Sequence, residues 1–175
     1  MEEYKLTLKI AAYFLEYPNE EWHKDFEEYR KAAEEISTPQ IKNAFADLFD
    51  YVENLGATEY ENLYVRSFDF SQNTNLYLTT HNRTDFGKQA QELHEFKTLF
   101  LENGYDLDKE LPDYLPALLE LASAVPPKNA KKILETARSK IELLRDRFIE
   151  AKLVQAFLLD TILIQADRLE VTENE

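Results

Sequence analysis

No cysteine occurs among the 175 residues, which excludes disulfides, thiolate nucleophiles and cysteine-ligated zinc. Glycine is scarce as well, with Gly56, Gly87 and Gly104 the whole complement. So few glycines leave little material for tight hairpins, phosphate-cradling loops or dinucleotide fingerprints, and they suit long helices joined by short connections. Long apolar runs are missing too: the longest tract, Ala156 to Ala166, is interrupted by Asp160 and is too short to span a bilayer. The amino terminus, MEEYKLTLKI, lacks the basic start and apolar centre of a signal peptide, so cytoplasmic residence is expected.

Positive charge is in short supply. The formal net charge of -14 argues against nucleic acid or an anionic membrane as partner, because affinity for either comes mainly from Lys and Arg neutralising phosphate. A basic partner is the expectation. The imbalance is local: residues 47–113 hold 14 acids against 5 bases, whereas residues 126–150 hold 7 bases against 4 acids. An acidic surface that only keeps the chain soluble would leave the same imprint.

What the chain does have is helical periodicity. Its length fits one compact domain, whose folding buries roughly 70% of the surface an unfolded chain exposes. Leu6, Ile10, Tyr13, Phe14 and Tyr17 share one helical face before Pro18. Trp22, Phe26, Tyr29, Ala33 and Ile36 follow at spacings of 4, 3, 4 and 3, and Ile41, Phe45, Leu48, Val52 and Leu55 form a third stripe between the cap pair Thr38-Pro39 and Gly56. A fourth helix is expected from Thr58 to about Phe68, then a loop with one short helical turn. The fifth starts at Thr84 and Asp85 with Phe86, Ala90, Leu93 and Phe100 inward, and the sixth starts at Asp113. A seventh runs from about Asn129 to Phe148. The last, about Leu153 to Leu169, is apolar almost all round, which calls for a central position or a second chain to cover it. The predicted product is a single all-α domain over residues 1–169, with a frayed acidic tail over 170–175.

Catalytic constellations are hard to assemble. Glu20 and His23 have the E-x-x-H spacing of a di-iron bundle, but Gln91 and Leu78 precede His94 and His81 at that spacing, so a second pair is missing. Glu92, His94 and Glu95 diverge around a helix and read as a solvated face. With no phosphate loop and no G-x-S-x-G word, an enzyme is not expected, and neither is a bound metal or cofactor.

The strongest local signal is ELPDYLPALLE, Glu110 to Glu120. Pro112 holds Leu111 extended, Asp113 is placed to cap the following helix, and Pro116 falls in its first turn. Tyr114 and Leu115 then stand on a rigid turn, suited to the rim of a groove. The aromatic run YVRSFDFSQNTNLYLTTH, Tyr64 to His81, is its counterpart upstream.

Five words in sequence resemble the delta-subunit (NarJ-type) assembly chaperones of respiratory nitrate reductase, within the broader TorD-like group of redox-enzyme maturation chaperones. They are FLEYPNEEW (Phe14 to Trp22), TPQIKNAF (Thr38 to Phe45), SFDF (Ser67 to Phe70), LYLT (Leu76 to Thr79) and LPDYLPALLELA (Leu111 to Ala122). The resemblance implies a TorD-like bundle of about seven to eight helices. It also implies a groove that receives the amino-terminal peptide of the nitrate reductase catalytic subunit, supporting molybdenum cofactor insertion before membrane attachment. The peptide-binding positions it carries over are Tyr64, Phe68, Asp69, Phe70, Leu76, Tyr77, Pro112, Asp113, Tyr114, Leu115 and Glu120. Core packing would account equally well for Phe68, Phe70 and Leu76. The chain departs from the family where an Arg-Gly pair usually opens the helix after LYLT: here Phe86-Gly87 stands there, with Arg83 nearby. Another molybdoenzyme as client, or a helical module that self-associates through Leu153 to Leu169, are the competing expectations, and the chain is read as monomer or homodimer.

Overall fold

A computed structural model describes residues 1–81, 86–107 and 110–170. Among them the chain forms eight α-helices and no strand: α1 (Glu3–Leu15), α2 (Glu20–Ala33), α3 (Pro39–Leu55), α4 (Ala57–Tyr64), α5 (Phe86–Glu102), α6 (Leu115–Ala124), α7 (Pro127–Glu150) and α8 (Ala156–Arg168). A short π-helix, Val65–Asp69, continues α4, and a 3₁₀ turn, Leu78–Thr80, precedes α5. The all-α bundle expected from periodicity is what folds.

Hydrophobicity sorts the helices. The three most apolar, α1, α6 and α8, occupy the centre: α1 lies against both α6 and α8. In α1 every residue from Ile10 to Leu15 is buried, and α6 buries seven of its ten residues. Helices with a single apolar stripe, α2, α3 and α7, wrap that centre with their polar faces outward. The apolar perimeter of α8 is covered by α1, α3 and α7 of the same chain. Phe157 is left exposed on it.

Local chemistry sets the boundaries. Pro18 follows α1, and Asn19 caps α2 by accepting a hydrogen bond from the Trp22 amide at 2.9 Å. Trp22 then locks α2 to α1: its indole stacks on Tyr13 with centroids 4.4 Å apart, its Nε1 donates to the Tyr13 carbonyl, and the Tyr13 hydroxyl donates to the Trp22 carbonyl. Pro39 occupies the first turn of α3, and Gly56, at φ 85°, ends it in a conformation that costs other residues more.

Several expected caps are used otherwise. The Thr38 hydroxyl turns to the Glu3 carboxylate at 2.8 Å, joining the starts of α1 and α3. Thr58 lies inside α4, which begins one residue after Gly56. Asp113 does not start or cap α6; that helix begins at Leu115, and the Asp113 side chain is engaged elsewhere. In α5 the expected inward face is wrong at its start. Phe86 is 90% exposed and Ala90 is exposed, whereas Glu92, Phe96, Leu99 and Phe100 are buried. Contact with the bundle begins on the other side of the helix, where the Gln89 amide donates to the Thr79 hydroxyl at 3.2 Å and Glu92 is buried, so Phe86 and Ala90 are left exposed. The expected helix start at Thr84 and Asp85, and the tail residues 171–175, lie outside the described residues.

Glu92, read from sequence as part of a solvated face, is instead buried and paired with Lys140 of α7 at 3.0 Å. Two more side-chain links join α5 to α7: Glu102 with Lys132 at 2.9 Å, and Asn103, which accepts from Asn129 at 2.8 Å.

Candidate functional site

The aromatic run after α4 and the turn before α6 meet in space. Tyr77 and Tyr114 form an isolated antiparallel bridge, in which the Leu78 amide donates to the Asp113 carbonyl at 3.0 Å and the Leu115 amide donates to the Leu76 carbonyl at 2.9 Å. The two tyrosine rings lie 5.0 Å apart, inclined by 30°. Pro112 suits this arrangement because its ring favours an extended approach to the turn.

Asp113 fastens the pairing. Its Oδ2 accepts from the Thr79 amide at 3.1 Å and from the Thr79 hydroxyl at 2.7 Å, while Oδ1 has no partner and the residue is 1% exposed. A buried carboxylate with two donors is a strong local tie.

The candidate residues divide into two groups. Tyr64, Phe68, Leu76, Asp113 and Leu115 are buried, so they support the wall rather than form its surface. For Leu115 this corrects the expectation of an exposed tip: as the first residue of α6 it points into the centre of the bundle, fully buried. Phe68 packs on Tyr64 and on Phe148 of α7. Asp69, Phe70 and Glu120 are exposed, and Tyr77, Pro112 and Tyr114 are half-buried. Phe70, 82% exposed at the end of the π-helix, is the largest apolar group offered there. The extra residue in the π turn accounts for the split: Phe68 faces the core while Phe70, whose amide reaches the Val65 carbonyl, is thrown outward.

Sequence reasoning missed Glu16, Tyr17, Tyr29 and Glu110. Glu16, one residue past α1, faces Glu120 of α6 within hydrogen-bonding reach. Burial, then the hydrogen bond and charge of Glu120, push the Glu16 carboxyl up to about 7. Tyr29 from α2 and Tyr114 both feel the Glu16 charge, and burial drives the Tyr114 hydroxyl up to about 12. The Tyr77 hydroxyl donates to Glu110 at 3.4 Å, and Tyr17 donates to Glu61. The result is a belt of tyrosines edged by carboxylates. The word FLEYP carried the signal for Glu16 and Tyr17, since the proline forces the chain off α1 at that point.

The carboxyl pair makes stability depend on pH. Folding raises the Glu16 value from the ordinary 4.5 to about 7, so the folded state holds this proton more tightly and stability falls as pH rises between them. Glu16→Gln is therefore expected to match the parent at about pH 4 and to exceed it at about pH 8 by about 1–2 kcal/mol, allowing for solvent screening. Thermal melts at both pH values measure this, and equal differences at the two would count against a shared proton.

Among the described residues no three His, Cys, Asp or Glu side chains gather as a metal ligand set, and no helix is long and apolar enough to cross a membrane. The fold and this belt define an all-α protein that presents tyrosines edged by carboxylates at its surface. The chain belongs to the nitrate reductase delta subunit family, whose model matches residues 19–154. It is 29% identical over 171 residues to a probable nitrate reductase molybdenum cofactor assembly chaperone, NarJ, of Bacillus subtilis, covering 97% of this chain and 93% of the relative. It is 27% identical over 161 residues to a probable chaperone of the same description, NarW, of Escherichia coli, covering 89% of this chain and 66% of the relative. A stretch of 107 residues, 61% of this chain, is 28% identical to a nitrate reductase-like protein, NarX, of Mycobacterium tuberculosis, covering 16% of that longer protein. The two chaperone relatives are named for assembly rather than for catalysis.

Proposed function

We propose that this chain is an assembly chaperone of nitrate reductase that captures the amino-terminal segment of the catalytic subunit on the tyrosine belt, holding the apoenzyme for molybdenum cofactor insertion and delaying its membrane attachment. The observation that carries the reading is the Tyr77–Tyr114 bridge, which sets two aromatic words of the sequence side by side within reach of the Asp69 and Glu16 charges, with exposed Phe70 following Asp69 in the chain. Half-buried tyrosines suit the wet rim of a peptide groove, since each offers a broad ring and a hydroxyl. The carboxylates that bear on them, Glu16, Asp69 and Glu110, favour a segment with basic residues. A free peptide of this kind is poorly ordered, and ordering it on binding costs about 2–5 kcal/mol, which keeps affinity moderate and release possible.

Phe70 is the clean probe, because Tyr114 also packs on Tyr77 and meets the Tyr64 hydroxyl and so affects the fold. Phe70→Ala is expected to weaken binding of a synthetic peptide from the client's amino terminus by about tenfold or more, while the melting temperature stays within about 1 °C. Calorimetric titration reads the first and a thermal melt the second. No heat with the unaltered chain at about tens of micromolar would reject the client; unchanged affinity in the variant would move the site elsewhere.

A further inference from the structure

A cleft lies between the turn at residues 72–75, the Thr80-His81 pair and the C-terminal end of α7. It encloses about 360 Å³ and is lined by Gln72, Asn73, Asn75, Thr80, His81 and Arg147. That volume falls within the roughly 300–1,000 Å³ typical of small-molecule sites. Among the described residues its lining has no carboxylate and no aliphatic side chain, in a chain whose acids outnumber its bases 34 to 20.

Arg147 sets the chemistry. Two other arginines of α7 are occupied: Arg138 pairs with Glu135 and Asp167, and Arg145 pairs with Asp160. Arg147 has no carboxylate within ion-pair distance among the described residues, although it is half-buried beside the cleft. Its guanidinium therefore keeps its donors for something not of this chain.

The rest of the lining divides into a fixed frame and free donors. Asn75 is fully committed: its Oδ1 accepts from the Tyr77 amide at 3.0 Å and the Thr80 hydroxyl at 3.1 Å, and its Nδ2 donates to the Gln72 carbonyl at 3.2 Å. The Thr80 hydroxyl donates as well to the Tyr77 carbonyl at 2.8 Å. His81 is 4% exposed, and its Nε2 lies 2.8 Å from the Asn75 carbonyl, which only a donor satisfies, so that nitrogen carries hydrogen. These bonds hold the turn in shape. The side-chain amides of Gln72 and Asn73 are exposed at the mouth, ready to donate alongside Arg147. Burial holds His81 below the ordinary imidazole value, and the Arg147 charge acts the same way, against the opposing pull of the Asn75 carbonyl and the Asp113 charge.

A planar five-donor fork flanked by two primary amides, with no acid among the described lining residues, matches the oxygens of a tetrahedral oxyanion. We propose that this cleft binds a small phosphate-bearing molecule, with Arg147 as the anchoring cation and Gln72 and Asn73 closing on the phosphate oxygens. The site is separate from the tyrosine belt and stands whether or not that belt takes a peptide.

Calorimetric titration of the full chain with inorganic phosphate and with glycerol phosphate, at constant ionic strength, tests it. One saturable site is expected for at least one probe, and Arg147→Gln should weaken it by about tenfold or more, the usual cost of a lost charged hydrogen bond. Because Arg147 is half-buried, Asn73→Asp is the companion variant: its exposed position spares the fold, and the added negative charge should weaken phosphate by a similar factor. Tighter binding of glycerol phosphate assigns the cleft to organic phosphates; equal or weaker binding assigns it to the free anion. Peptide affinity should be the same in both variants as in the parent. No saturation by either probe below about 10 mM, or full binding retained in both variants, overturns the proposal.

Discussion

Asp113→Ala should lower the stability of the folded chain by about 3 kcal/mol, a fall of about 6–12 °C in melting temperature for a chain of this size. An N-cap at the start of α6 would be worth only about 1 kcal/mol, and the sequence pointed to that role. The structure replaces it with a heavier one. The Oδ2 atom accepts both donors of Thr79, amide and hydroxyl, in a spot sealed from water. Removing it deletes two hydrogen bonds to a charged acceptor and leaves the Thr79 amide buried without a partner. Part of the loss is offset, because the unpartnered Oδ1 no longer has to be kept out of solvent. Asp113→Asn keeps one acceptor of the same shape and should cost about half as much. Melting curves decide between the two roles: a loss of about 1 kcal/mol in the alanine variant would restore the cap.

Lys140→Met is the second large effect, also about 3 kcal/mol, at the other face of α5. Glu92 and Lys140 are both nearly covered, and their 3.0 Å contact joins α5 to the middle of α7. Removing Lys140 takes away the contact that holds the nearly covered Glu92 carboxylate to α7 and reduces its charge compensation, which costs more than the pair itself contributes. For that reason the double variant Glu92→Leu/Lys140→Met should recover most of the loss. Denaturant unfolding of the parent, both single variants and the double closes the cycle. Additive losses would show that the contact carries no coupling.

These two residues also mark where sequence reading stops. The stripes of α2, α3 and α7 were legible because a single apolar face in a surface helix repeats at the helical period, and nothing distant can change it. The lack of a polar side on α8 allowed a central place or a second chain against it, and its packing on α1, α3 and α7 gives it the central one. Glu92 was misread because its burial depends on where Lys140 falls, on another helix. Phe86 was misread for the opposite reason, since an apolar residue at the right spacing stays exposed when no neighbour reaches it. The meeting of Tyr77 and Tyr114 was expected in outline from the words around them, yet its form, a single strand-like bridge in a helical chain, has no periodic signature. Glu16 lay in a recognised word but was not seen as part of the belt, because its partner Glu120 is remote in sequence and only the packing of α1 on α6 brings the two together.

The bridge has one more effect on the architecture. The backbone departs at Tyr77 and comes home at Tyr114, so α5 is a detour whose exit and entry share one doorway. The entropic toll of tying the ends of such an excursion rises only slowly with its length. Added length is therefore tolerated best at the exposed opening of that arm, around Phe86, because its later turns are fastened to α7 through Glu92 and Lys140 and reach the core at Phe96 and Phe100.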